Sequence, residues 1–175
     1  GIGAKYMARK DAEVVGILGS GGMAHTHALA VCQARKIKKM KVFSPTREHR
    51  EAYAREMSET LGIDVVPVDD AREAHKGVDI LCTCADAAQP VLFGKWLEEG
   101  THVVYAAGAI DQDAADKVAV TLRLGNTPTP RGKDWHERSD TVVWAASPPG
   151  RTEPVDAFGP ATGGLARGVI RPERE

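Results

Sequence analysis

Hydrophobic positions along this chain fall into short continuous runs separated by longer stretches of mixed character, and the alternation repeats five times before Gly108. Residues 13–18, 39–44, 63–68, 78–84 and 101–106 each read as a strand, 39–44 by its partial alternation and 78–84 by the continuous apolar character of a strand covered on both faces. Between them the apolar residues move to helical spacing. Residues 23–36 read as an amphipathic helix, and residues 46–61 as a long polar one with Tyr53, Met57 and Leu61 four apart along one face and Gly62 placed to end it. Residues 70–75 form a short helix that Asp70 can cap, Pro90 opens a further helix over 91–97, and residues 3–10 are the end of a helix that precedes the first strand. This order predicts an α/β fold, doubly wound, with a mostly parallel sheet and helices on both faces. Pro67 belongs on an edge strand, which makes the third strand outermost.

After Gly108 the pattern weakens. Residues 111–118 read as a short helix, 119–124 as extended chain, 125–133 as a loop carrying Pro128 and Pro130, and 141–146 as a sixth strand. Residues 1–150 are thus expected to form one folded domain. Residues 151–175 are a tail dense in Gly and Pro, with little capacity for regular structure, either disordered or lying on a neighbour.

Composition narrows the class of partner. The chain has 175 residues, a net charge of −1 and 27% charged residues, so charge gives no case for nucleic acid or an anionic membrane. No apolar run approaches the ~18 residues needed to span a bilayer, and no signal peptide is present, which predicts a cytoplasmic protein. Three cysteines, Cys32, Cys82 and Cys84, read as small core residues. Cys82 and Cys84 point the same way from a strand, with no His or Cys pair spaced to complete a metal site, and no metal is expected.

Chemistry enters with the turn after the first strand, Gly19-Ser20-Gly21-Gly22-Met23-Ala24. Gly-x-Gly-x-x-Ala between a strand and a helix, inside a βαβ unit of about 30 residues, fits the dinucleotide-binding fingerprint. In it the first glycine makes the turn, the second admits a pyrophosphate to the backbone, and the third position lets helix pack on strand. The helix N-terminus offers its N–H groups and partial positive charge to the phosphates. At the end of the second strand, Ser44-Pro45-Thr46-Arg47 holds no carboxylate for a ribose 2′-hydroxyl. Ser44, Thr46 and Arg47 are instead the inventory for a phosphate, which points to NADP, with NAD as the alternative, although the same residues also suit a helix cap and a solvated charge. Cys84, Ala85, Asp86 and Gly108, at the ends of the fourth and fifth strands, are placed to face the nicotinamide.

Ala4-Lys5-Tyr6-Met7-Ala8-Arg9 leading into Val15-Gly16-Ile17-Leu18-Gly19-Ser20-Gly21-Gly22, followed by Ser44-Pro45-Thr46-Arg47-Glu48-His49, Pro90-Val91-Leu92-Phe93-Gly94-Lys95-Trp96-Leu97 and Gly100-Thr101-His102-Val103, resembles the ornithine cyclodeaminase and mu-crystallin family from residue 4 to about Gly108. The resemblance implies a Rossmann domain binding NAD or NADP. It also implies a separate substrate and dimerisation domain built mostly from sequence preceding it, where the arginine and lysine that hold the substrate carboxylate lie upstream of Gly1. The implied activity is that of an NADP-dependent oxidoreductase acting on a small amino or imino acid. The alternatives are a non-catalytic NADPH-dependent ligand-binding protein of the mu-crystallin type and a true ornithine cyclodeaminase. The longer protein is expected to be the enzyme, and these 175 residues alone to be inactive.

Two departures stand out. The arginine of an Asn-Arg-Thr run in NADP-binding relatives falls on Pro45, so Arg47 would have to supply the cation. The catalytic aspartate of the cyclodeaminases falls on Ile110, with Asp111 beside it. Asp111 is the candidate catalytic residue, and capping of the following helix is its competing role.

His25 and His27, two apart on the phosphate-facing helix, point to different sides, one toward solvent and one toward the nucleotide. His102 and His136 have no partner legible in the sequence, and Trp135 and Trp144 read as core or domain-contact residues.

Overall fold

The computed structural model describes residues 1–118 and the backbone of two further strands, Thr121–Leu124 and Val142–Ala145. Gly1–Ala114 forms one compact unit. Its strands are β1 (Val14–Leu18), β2 (Lys39–Phe43), β3 (Asp64–Pro67), β4 (Ile80–Cys84), β5 (Pro90–Leu92), β6 (His102–Ala107) and β7 (Ala109–Ile110). Its helices are α1 (Ile2–Met7), α2 (Gly22–Ala34), α3 (Arg47–Leu61) and α4 (Ala71–His75), and α5 (Gln112–Lys117) begins at its end. Five strands pair in parallel in the order β3-β2-β1-β4-β6, the doubly wound arrangement that the alternation predicts. β3 is outermost, as Pro67 requires, because a residue without an N–H is tolerated where one side of the strand has no neighbour.

Successive residues of each strand feed opposite faces. Val15 and Ile17 of β1, Met40 and Val42 of β2, and Ile80, Cys82 and Cys84 of β4 join a core with Ala24, Ala28 and Val31 of α2 and Tyr53 and Met57 of α3. Leu18 and Leu81 point the other way, into a second cluster with Ala74 of α4, Leu92 and Ala114. A sheet covered on both faces needs apolar residues at nearly every position, which is why these runs are continuous.

Asp79 fixes how the chain enters this sheet. Its Oδ2 accepts hydrogen bonds from the backbone N–H groups of Glu13 (2.8 Å) and Val14 (2.9 Å), and its Oδ1 pairs with Arg9. One carboxylate therefore ties the start of β1 to the start of β4.

The segment after Pro90 departs from the expected helix. Pro90–Leu92 is a strand that pairs in parallel with β7, followed by a 3-10 turn over Gly94–Trp96. Gly94 interrupts the run, and a Cβ there would stand 2.2 Å from the backbone nitrogen of Ala114, so the chain lies directly against the start of α5. The apolar residues of 90–97 are spent on the second core and on a Phe93–Trp96 ring contact with centroids 4.5 Å apart.

The expected sixth strand exists as β9 (Val142–Ala145), but it pairs in parallel with β8 (Thr121–Leu124) in a two-stranded sheet, and the main sheet has five strands. The apolar pattern marks a strand without saying which partner it takes. Trp135, His136, the side chain of Trp144 and the tail 151–175 lie outside the described residues. Among the described residues no helix is long and apolar enough to cross a membrane.

Candidate functional site

The chain reverses direction across the sheet between β1 and β4, so a crevice opens beyond their C-terminal ends, where open α/β sheets place ligands. Gly19 leaves β1 with φ +112°, and its N–H donates to the Phe43 carbonyl at 2.8 Å, joining the turn to the end of β2. A Cβ on Gly19 would lie 2.5 Å from the carbonyl oxygen of Cys84. Both the backbone angle and this contact exclude any larger residue.

Gly21 and Gly22 differ in kind. Neither has positive φ, and a Cβ on either would meet no protein atom within 4 Å. The fold itself does not demand glycine there, whereas close approach of a pyrophosphate to the backbone does, so the residues present fit a dinucleotide. Gly21 caps α2 without a side chain, and no acidic residue sits in the first turn, which leaves the positive end of a 13-residue helix unopposed. Ala24 is fully buried and its carbonyl accepts from the Tyr53 hydroxyl at 3.0 Å, so the third position of the fingerprint is where α2 meets both sheet and α3. Ser20 is half-buried and Met23 exposed along the same turn.

Cys84, Ala85, Asp86 and Gly108, the residues expected to face a nicotinamide, converge from the ends of β4 and β6. Gly108 has φ +99°, and a Cβ there would stand 3.2 Å from the Ala85 carbonyl and 2.6 Å from a methyl of Val91. Cys84 thus touches Gly19 through its carbonyl while Ala85 touches Gly108. Between β4 and β6 the register slips by one residue, Thr83 pairing with Tyr105 and Cys84 with Ala107. The Tyr105 hydroxyl donates to the Gly108 carbonyl at 2.6 Å across this bulge. Asp86 is exposed beyond it. The Cys84 thiol is pushed up to about 11 by burial, and the Cys82 thiol is also raised by burial, so both are protonated core groups. Among the described residues no group of His, Cys, Asp or Glu is arranged to hold a metal.

In the turn after β2, Ser44 is buried and Thr46 is the N-cap of α3, with its hydroxyl making no cap hydrogen bond. Arg47 is exposed and donates to Glu51 at 2.7 Å. Hydrogen bonding to Glu51 is the main cause that raises its pKa further. The residue that organises this turn is one the sequence reading passed over. Arg50, 7% exposed, donates to the carbonyls of Ser44 (3.0 Å) and Pro45 (3.4 Å) and pairs with Asp69. A signal was present, since Arg50 lies three residues before Tyr53 and seven before Met57 on the buried face of α3.

Asp111 is placed as a cap. Its Oδ1 accepts from the backbone N–H groups of Ala114 (2.8 Å), in the first turn of α5, and of Gly94 (2.9 Å). Ile110, one residue earlier, pairs with Leu92 and packs on the second core. His25 turns toward α3, with Nδ1 at 2.9 Å from the Gly21 carbonyl, Nε2 at 3.3 Å from Glu56 and its ring edge-on to Tyr53. His27 lies 2.8 Å from the Met23 carbonyl. A cavity of about 160 Å³ lined by Arg9, Asp79, Gly100 and Thr101 opens at the opposite, N-terminal ends of the strands, where Arg9 and Asp79 are already spent on each other.

The model of the ornithine cyclodeaminase/mu-crystallin family matches residues 1–121. The ketimine reductase mu-crystallin of Rattus norvegicus is 32% identical over 112 residues, 64% of this chain and 34% of the relative. Among solved structures, the Thermococcus litoralis Δ1-pyrroline-2-carboxylate reductase in complex with NADH and L-proline superposes with a TM-score of 0.66 at 35% identity, over 73% of this chain and 41% of that one. An archaeal alanine dehydrogenase dimer with bound NAD superposes with a TM-score of 0.62 at 25% identity, over 71% and 39%. The chain spans about a third of the length of the curated relatives it matches.

Proposed function

This chain belongs to the ornithine cyclodeaminase/mu-crystallin family, and from that premise we propose that it is the dinucleotide-binding part of an oxidoreductase acting on a small amino or imino acid, with NADP as cofactor. The observation that carries the reading is the Gly19–Gly22 turn. Gly19 is fixed by positive φ and the Cys84 carbonyl, while Gly21 and Gly22 have no protein neighbour that requires glycine.

In this reading Gly19, Ser20, Gly21, Gly22, Met23 and Ala24 hold the pyrophosphate through backbone N–H groups and the end of α2. Ser44, Thr46 and Arg47 face the 2′-phosphate of the adenosine ribose, and Cys84, Ala85, Asp86 and Gly108 face the nicotinamide. The nicotinamide, when bound, supplies or takes the hydride exchanged with a carbon of the substrate C–N bond. The chain's own contribution is to hold the ring at the β4 and β6 ends, where the Gly19–Cys84 and Gly108–Ala85 contacts lock three loops together and fix the reacting geometry. The residues that grip the substrate carboxylate belong to a further domain of the longer protein, through which it dimerises. The dimeric alanine dehydrogenase supports a dimer.

The relatives named for Δ1-pyrroline-2-carboxylate and ketimine reduction support an imino acid as substrate. Ile110 at the matching position, packed on the second core, and Asp111 using its Oδ1 to accept the N–H groups of Gly94 and Ala114 favour a reductase over a cyclodeaminase. The test is titration of the 175-residue chain with NADPH and NADH, and of Gly19→Ala, followed by assay of the longer protein. NADPH is expected to bind more tightly than NADH, Gly19→Ala to bind neither, and the longer protein to oxidise NADPH with a cyclic imine. Tighter binding of NADH would move the cofactor to NAD, and ammonia release from ornithine would move the reaction to cyclodeamination.

A further inference from the structure

We infer that Arg50, paired with Asp69, is the positioning residue that sets nucleotide preference at the adenosine end. The inference rests on the dinucleotide reading above and adds a residue to it.

The turn from β2 into α3 consists of Ser44, Pro45 and Thr46. It is the segment that meets the ribose 2′ position in this fold. Its conformation is held from inside the protein. One nitrogen of the Arg50 guanidinium donates to the carbonyls of Ser44 and Pro45, and the other pairs with Asp69, which follows β3. The Arg50 side chain is 9% exposed, and its guanidinium contacts both carbonyls of the turn. A planar fork that donates in two directions at once is a property of arginine, and lysine cannot reproduce it.

The outer side of the same turn is differently equipped. The Thr46 hydroxyl is not used to cap α3, and Arg47 on the exposed surface donates to Glu51, one turn along its own helix, and also feels the charges of Asp69 and Glu48. The Arg50 backbone N–H also donates to the Thr46 carbonyl at 3.2 Å, so Arg50 engages three successive carbonyls of the turn, and with Asp69 it sets where Thr46 stands at the start of α3. The pyrophosphate end is held independently by α2, so loosening the β2–α3 turn should act on the 2′ substituent and leave the rest of the nucleotide in place. NADPH carries a phosphate at that position and NADH a hydroxyl for which Ser44 provides no carboxylate. The loss should fall on NADPH.

The experiment measures dissociation constants of NADPH and NADH for the 175-residue chain and for Arg50→Met and Asp69→Asn, with unfolding midpoints alongside. Asp69 is 90% exposed, so Asp69→Asn keeps the fold if Arg50→Met does not. We expect the NADPH-over-NADH preference to fall about tenfold in Arg50→Met, the change corresponding to 1.4 kcal/mol. NADH affinity should stay within about twofold, and Asp69→Asn should move the ratio in the same direction. A preference for NADPH that survives both substitutions, or NADPH and NADH affinities that fall in parallel with stability, overturns the inference alone. A wild-type chain that binds neither nucleotide, or prefers NADH, overturns the cofactor reading and this inference with it.

Discussion

His102 begins β6 with its ring packed under α1, close enough that a Cβ on Gly3 would stand 3.7 Å from Nε2, and that nitrogen is buried without a hydrogen-bond partner. Burial foremost, then the N-terminal amino group and Arg35, push its pKa down to about 4. The unfolded chain therefore takes up a proton near pH 6.5 that the folded chain refuses, so stability falls as pH drops from about 6.5 toward 4. At pH 5 the loss from this one group is on the order of 2 kcal/mol. His75 adds to it in the same sense. Its Nδ1 faces the Ala71 carbonyl at 2.8 Å, its Nε2 is buried and unpartnered, and its pKa is lowered mainly by burial. Urea unfolding at pH 7 and pH 5 checks this: His102→Gln should show the smaller drop, and an unchanged pH slope would show that the ring is hydrated.

Among the elements, α5 shows what one capping side chain contributes. It has six residues, too few to persist without tertiary support. Asp111 bonds its first turn and at the same time the Gly94 N–H of the 3-10 segment. Asp111→Ala should cost about 1–2 kcal/mol in urea unfolding. Asp111→Asn, which keeps an acceptor oxygen, should lose less than half of that. If in the longer protein Asp111→Asn abolished turnover while leaving stability and NADPH affinity intact, a catalytic role for Asp111 would be restored. The segment 90–97 makes the complementary point. Pro90 at a helix start is a sound local signal, yet the backbone found better partners in β7, and Gly94 fitted where a Cβ could not.

For the molecule as a whole, the site is a junction of strand ends. Gly19 bonds to Phe43 of β2 and abuts Cys84 of β4, and Gly108 abuts Ala85. A ligand bound across that junction stabilises the sheet it joins. At a hundredfold excess of NADPH over its dissociation constant the gain is about 2.7 kcal/mol, which thermal unfolding reads as a rise in midpoint. The rise should vanish in Gly19→Ala. A rise of the same size in that variant would place the nucleotide elsewhere on the protein.

By itself the sequence determined the order of the five main-sheet strands, the edge position of β3 and the glycine turn after β1. These rest on local rules: continuous apolar runs for strands covered on both faces, a proline that cannot donate, and glycines at fixed offsets between strand and helix. It determined less of the β2–α3 turn, naming Ser44, Thr46 and Arg47 from a linear stretch while the organising residue, Arg50, lay among helix positions read for their apolar face. The tertiary structure alone decided which groups meet: Asp69 with Arg50, Asp79 with the N–H groups of Glu13 and Val14, Pro90–Leu92 with Ala109–Ile110, and Thr121–Leu124 with Val142–Ala145. These partners are 19 to 66 residues apart for the side-chain contacts, beyond the reach of any local pattern, because packing and hydrogen-bond satisfaction choose partners by position in space.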